Sequence, residues 1–193
     1  MIQQQLFQLS ELPAGFLFRS DFVTEHEEDQ LLDVIRNLKF EEFRMHGVIA
    51  KRRIVHFGVR YAFTSHQLSP APEIPQTFQT IRARAAAIAH LDPAEFSEAL
   101  VTEYRAGAGI GWHRDAPPFG IVAGISLAEN CRMRFQRGRK ENRKAASIDL
   151  PRRSMYLLTG EVRSEWEHSI PAISNLRYSI TFRTVKPAKS ALE

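Results

Sequence analysis

The sequence predicts a mostly-β fold with flanking helices. From Ala99 onward, short stretches of alternating apolar and polar residues follow one another with turn residues between them. Eight stretches fit this pattern, at 99–105, 110–115, 121–127, 131–137, 145–150, 154–159, 164–169 and 176–185, and such a succession reads as an all-β sandwich or barrel. Helical periodicity, by contrast, is confined to residues 1–98. With 193 residues, 44% hydrophobic and 25% charged, the chain 1–193 is the size of one domain with a sizeable core.

Taken in order, residues 6–19 carry scattered apolar positions around a Pro-Ala-Gly turn, with a short strand expected on each side. Thr24 and Glu27 have the spacing of a capping box, and Leu31, Val34, Ile35 and Leu38 recur at helical spacing after it. From Phe40 to Phe63 the pattern is strand-like, with turns near Gly47 and Gly58. Ser65 to Pro75 is rich in Pro and Ser and is expected to be a loop. A second helix is expected from Gln76 to His90, bracing a sheet through Phe78, Ile81, Ala85 and Ile88 and ending before Asp92-Pro93. Gly107, Gly109 and Gly111 precede a strand rather than a helix N-terminus, so close backbone approach or turn geometry explains them better than a phosphate loop. The tail from Pro187 is expected to fray.

The chemistry gathers in Tyr104–Asp115 (YRAGAGIGWHRD), His168, and Arg177–Arg183 (RYSITFR). His113 and Asp115, two apart on a strand, point to one face, and His168 supplies a third ligand. Two imidazoles and one carboxylate on one side of a metal make the facial triad that holds Fe(II), with open positions for a co-substrate and O2. Alternation in RYSITFR puts Arg177, Ser179, Thr181 and Arg183 on one face and Tyr178, Ile180 and Phe182 on the other. Two inward guanidiniums beside ferrous iron match a dicarboxylate, of which 2-oxoglutarate is the obvious one. Arg183 has a second reading, as an ion-pair partner of Asp115 that supports the site from behind.

H-x-D, a later His and R-x5-R at this spacing resemble the AlkB family of Fe(II)/2-oxoglutarate-dependent dioxygenases, over roughly Leu100 to Val185. The resemblance implies a double-stranded β-helix (jelly-roll) core at 99–185. It also implies that Arg177 holds the distal carboxylate of 2-oxoglutarate, that Arg183 lies near the metal-bound end, and that Tyr104 donates its hydroxyl to the co-substrate. A packed aromatic with its hydroxyl on a backbone carbonyl is the other reading of Tyr104. Thr102 and Ser179 stand where many members have Asn, and Pro117 stands where some base-repairing members have an acid. By position, residues 40–63 correspond to the family's nucleotide-recognition lid. There Arg52 and Arg53 would meet phosphates, and His56, Phe57 and Tyr61 would stack on a base. Phe57 and Tyr61 equally suit packing under a sheet. The activity implied is oxidative dealkylation of bases in DNA or RNA, the alkyl carbon leaving as an aldehyde. The block from Leu150 to Ile170 also resembles the AlkB domain of a tRNA-hydroxylating member, so tRNA modification stays open beside protein hydroxylation and a non-catalytic metal-bearing jelly roll.

Net charge is +4 with a pI near 9.5, and its placement is uneven. Arg132, Arg134, Arg137, Arg139, Lys140, Arg143 and Lys144 face the single acid Glu141 in the same stretch. A basic cluster around a turn fits a phosphate-contacting surface, with Arg139, Lys140, Arg143 and Lys144 at its tip; a solvated hairpin tip is the alternative. The single Cys131 excludes an intramolecular disulfide and fits a reducing compartment. No apolar run approaches the ~20 residues of a membrane helix, and the N-terminus lacks a secretory pattern. A cytoplasmic monomer with no membrane partner is expected.

Overall fold

The computed structural model describes residues 12–45, 48–139 and 142–187. Eight strands build two facing antiparallel sheets: β6 (Glu98–Tyr104), β7 (Ile110–His113), β8 (Phe119–Leu127), β9 (Cys131–Arg137), β10 (Lys144–Leu150), β11 (Met155–Leu158), β12 (Glu167–Ile170) and β13 (Arg177–Val185). Before them come β1 (Phe16–Arg19), α1 (Glu25–Arg36), β2 (Glu41–Met45), β3 (Val48–Phe57), β4 (Val59–Ala62), β5 (Gln67–Pro70) and α2 (Gln76–Ala89). The larger sheet has the order β1-β11-β8-β13-β6-β3-β2 and the smaller one β10-β9-β12-β7, with β4-β5 a separate ribbon. The eight core strands divide four and four, switching sheets at each step except the β9–β10 hairpin, as in a double-stranded β-helix, so the mostly-β jelly-roll reading holds.

Period-two alternation sends each strand of the larger sheet to two destinations. Ala99, Val101, Ile180 and Phe182 turn outward and pack with Leu31 and Ile35 of α1 and Phe78 and Ile81 of α2. Each of the larger side chains, once buried, contributes about 1.5–3 kcal/mol. Tyr104, Val122 and Tyr156 turn inward and meet Met133, Phe135 and Ile170 of the smaller sheet. The Thr24 capping box starts α1 as expected: its hydroxyl accepts from the Glu27 N–H, and the Glu27 carboxylate accepts from the Thr24 N–H.

Three expectations change. β7 stops at His113, so Asp115 lies in the loop leading to Pro117-Pro118, whose fixed rings and missing N–H groups end the ladder. The expected strand 164–169 begins later, as β12 from Glu167, because the short helix α3 (Gly160–Ser164) and a two-residue link precede it. The 65–75 loop contains β5, which pairs with β4. The strand pair expected across 6–19 is represented by β1 alone among the described residues, since 6–11 lie outside them. The glycines behave as expected: Gly107 has φ +78°, and a Cβ on Gly109 would stand 2.6 Å from the Ile170 carbonyl oxygen.

Candidate active site

Strand register assembles the site. β12 and β7 pair with His168 opposite His113, and their rings lie 4.2 Å apart between centroids. Asp115 follows in the loop and is buried. Its Oδ1 accepts from Arg183 Nε at 2.8 Å and NH2 at 2.7 Å. Its Oδ2 is buried without a hydrogen-bond partner, 3.6 Å from His168 Nε2. His113 Nδ1 is 2.9 Å from the Gly111 carbonyl oxygen, so Nδ1–H donates there and Nε2 keeps its lone pair.

The electrostatics favour metal-ready protonation states. Burial pushes the His113 imidazole below its ordinary value. Burial, with His113 as neighbour, lowers His168 to about 3. Burial opposes ionisation of Asp115, but Arg183 and the two histidines outweigh it and hold the carboxyl well below the usual range. Two neutral imidazoles and an orphaned carboxylate oxygen form a donor set suited to a divalent cation. Among the described residues, no three such side chains are arranged to hold a metal ion as they stand.

Arg177 and Tyr104 lie opposite each other on β13 and β6. Arg177 is 1% exposed; its Nε donates to Ser126 Oγ at 3.0 Å and its guanidinium lies 5.0 Å from the Tyr104 ring centroid. Its NH1 is buried without a partner. An unsatisfied guanidinium edge in a cavity fits a carboxylate. At the other end of β13, Arg183 is already bound by two acids, Asp115 and Glu98, with NH1 2.8 Å from Glu98 Oε2. Glu98 is fully buried and also holds His56 Nδ1 at 2.8 Å. Sequence reasoning missed Glu98 and Ser126; the available signal for Glu98 was a charged residue in phase with Tyr104 on an inward-facing strand.

A cavity of ≈ 120 Å³ is lined by these residues and, from the lid side, by Arg52, His56 and Tyr61. Alternation on β3 separates four of the five lid candidates, and Tyr61 lies on β4. Arg52 and His56 face the cavity. Arg53 turns away and grips Glu103 with Nε and NH2 at 2.9 and 3.0 Å. Phe57 is buried in the helix-side core, edge-on to Phe78. The base-stacking expectation for Phe57 and the phosphate expectation for Arg53 are therefore corrected. Tyr61 is buried, hydrogen-bonded to His66 Nδ1 and edge-on to Phe63.

On the basic hairpin, Arg132 is paired with Asp149, and Arg137 with Glu161 and Glu165. Arg134 lies over Trp112. Arg139, Arg143 and Lys144 are exposed at the tip, and Lys140 lies outside the described residues. Gln136 pairs with Glu167, beside His168 and His113, so this tip leaves the smaller sheet at the end that carries the two histidines. Among the described residues no helix is long and apolar enough to cross a membrane.

Residues 21–183 match the family model of the 2OG-Fe(II) oxygenase superfamily. The chain belongs to this superfamily. Membership carries Fe(II) and 2-oxoglutarate as cofactor and co-substrate, and relatives in sequence include proteins with AlkB-homologue names. A protein of Arabidopsis thaliana named "Alkylated DNA repair protein ALKBH8 homolog" is 30% identical over 181 residues, covering 81% of this chain and 51% of that protein. A Mus musculus protein named "tRNA (carboxymethyluridine(34)-5-O)-methyltransferase ALKBH8" is 25% identical, covering 84% of this chain and 25% of that protein. The chain thus spans about half of one relative and a quarter of the other. The solved structure of OsALKBH1 superposes with a TM-score of 0.73 at 16% identity, over 90% of this chain and 98% of that one. A Pseudomonas putida prolyl-4-hydroxylase gives 0.65 at 11%, over 89% and 93%. These two likenesses concern the fold.

Proposed function

We propose that this dioxygenase oxidatively dealkylates bases in DNA or RNA, with His113, Asp115 and His168 holding Fe(II) and Arg177 and Tyr104 holding the distal carboxylate of 2-oxoglutarate. When bound, the iron and co-substrate together activate O2 and insert one oxygen atom into a substrate C–H bond, giving succinate and CO2. The chain's part is placement. Arg183 fixes Asp115 through Oδ1, which leaves Oδ2 free for a metal it would hold, and Glu98 fixes Arg183. The Arg177 edge orients the co-substrate, and Tyr104 beneath the guanidinium limits its movement.

One observation carries the nucleobase reading: the cavity mouth is an aromatic slot. Phe43, Tyr61 and Phe63 line it, with Phe63 43% exposed and edge-on to both others, and Arg52 lies 4.4 Å from the Phe43 ring centroid. Such surfaces hold planar heterocycles by stacking. The tip of Arg139, Lys140, Arg143 and Lys144 would meet the phosphate backbone outside. A second reading, hydroxylation of a modified tRNA base by the same machinery, is favoured by kinship with a protein named for a tRNA uridine. Succinate release measured across methylated DNA, methylated RNA and modified tRNA separates the two. Stimulation by a peptide substrate and by none of these would refute both.

A further inference from the structure

Charge accounting in the cavity leaves one cation unexplained. Arg183 is neutralised by Asp115 and Glu98. Arg114, exposed at the mouth, donates to the Ser164 carbonyl. Arg177 offers its free edge to the co-substrate. Arg52, half-buried on the cavity face of β3, has no acidic partner among the described residues and rests on the Phe43 ring alone. Burial lowers its pKa, and it lies close enough to Tyr104 and His113 to interact electrostatically with both. A partly desolvated guanidinium is costly unless an anion meets it, and a single aromatic face offsets only about 0.5–2 kcal/mol. The acid of this neighbourhood, Glu103, is on the opposite face of the sheet, bound to Arg53 and Arg105.

The co-substrate does not supply the missing anion. Of the two carboxylates of 2-oxoglutarate, one is matched by Arg177 and the other belongs at the metal. We propose that Arg52 binds a negative charge carried by the substrate's reacting residue itself, inside the cavity rather than along the outer backbone. This rests on the nucleic-acid reading above and narrows it: the preferred target is an acid-bearing nucleotide. The anion is a phosphate-type or carboxylate oxyanion, from the target's own 5′ phosphate or from an acidic substituent on its base.

The test uses the Fe(II)-loaded enzyme with saturating 2-oxoglutarate and succinate release as readout, on two pairs of short RNA oligonucleotides. The first pair carries one N-methylated base with either a phosphodiester or a neutral methylphosphonate on its 5′ side. The second carries 5-carboxymethyluridine or 5-methyluridine at the target. The acidic member of at least one pair is expected to be favoured in kcat/KM by on the order of 10- to 100-fold, the range of a hydrogen bond to a charged group. Arg52→Gln should erase that preference, and Arg52→Lys should restore part of it. The pair that responds identifies the source of the anion. Equal use of both members of each pair, or a preference that survives Arg52→Gln, overturns the proposal while leaving the nucleobase reading intact. A raised 2-oxoglutarate KM in Arg52→Gln overturns it by assigning Arg52 to the co-substrate. Inert oligonucleotides throughout would sink the nucleic-acid reading and this proposal together.

Discussion

Arg177→Ala tests the co-substrate assignment most directly. The guanidinium is 1% exposed, held by one neutral hydrogen bond to Ser126, and its NH1 has no partner. Removing it would strand a carboxylate in a buried site, a loss of roughly 2–5 kcal/mol for one partner of a buried charge pair. At 1.4 kcal/mol per tenfold, that is a rise in the KM for 2-oxoglutarate of roughly 30- to 4,000-fold. Ser126→Ala removes only the orienting bond, about 0.5–1.5 kcal/mol, so a rise of roughly 2- to 12-fold is expected. The assay is uncoupled 2-oxoglutarate turnover with Fe(II) titrated separately, because neither substitution touches the proposed metal residues. An unchanged KM in Arg177→Ala, or equal effects of the two variants, would refute the assignment.

His113→Ala and Asp115→Ala should each abolish Fe(II) binding and co-substrate turnover; full turnover in either variant would remove that residue from the metal site. Arg53→Ala should destabilise the fold by about 1–3 kcal/mol in urea unfolding yet leave oligonucleotide affinity unchanged, because Arg53 grips Glu103 on the outer face. Burial pushes the Glu103 carboxyl up, but Arg53 and Arg105 outweigh it and lower its pKa. Its stabilisation is therefore present above the ordinary value of 4.5 and lost as pH falls below it, and Glu103→Gln should flatten that loss. Changing Arg139, Lys140, Arg143 and Lys144 to Ser should weaken oligonucleotide binding regardless of sequence. It should also flatten the slope of log affinity against log salt by roughly 0.7 per lost single-strand contact. An unchanged slope would make the hairpin a solvated tip.

What was legible in the sequence is what depends on local period. RYSITFR alternates cleanly, and β13 presents Arg177, Ser179, Thr181 and Arg183 to the cavity and Tyr178, Ile180 and Phe182 to the helices. The lid was misread where that rule was set aside: Arg52 and Arg53, or His56 and Phe57, are neighbours on one strand and cannot share a face. The strands at 110–115 and 164–169 were overdrawn because apolar content does not show where a ladder ends; the Pro pair after Asp115 and a single helical turn decided it. Glu98 and Ser126 were illegible for a different reason. Their roles come from register, Glu98 beside Arg183 across β6–β13 and Ser126 beside Ser179 across β8–β13, and pairing partners far apart in sequence leave no local pattern.

The two arginines of R-x5-R have different work for a reason of length. Six residues at about 3.3 Å per residue put Arg177 and Arg183 roughly 20 Å apart along the strand. A five-carbon diacid is far shorter, so both backbone positions cannot serve one co-substrate equally, and the partners divide accordingly. Arg177 keeps an open edge, whereas Arg183 is saturated by Asp115 and Glu98. Removing Arg183 would leave two buried carboxylates without their shared cation, raising the cost of keeping Asp115 ionised. Arg183→Gln should therefore weaken Fe(II) binding, with the deficit largest at low pH where Asp115 competes with protons. The KM for 2-oxoglutarate measured at saturating iron should stay near that of the unaltered protein. This split is the reverse of the one expected for Arg177→Ala. If Arg183→Gln instead raises the 2-oxoglutarate KM and spares iron affinity, the second arginine holds the co-substrate after all, and its pairing with Asp115 is incidental.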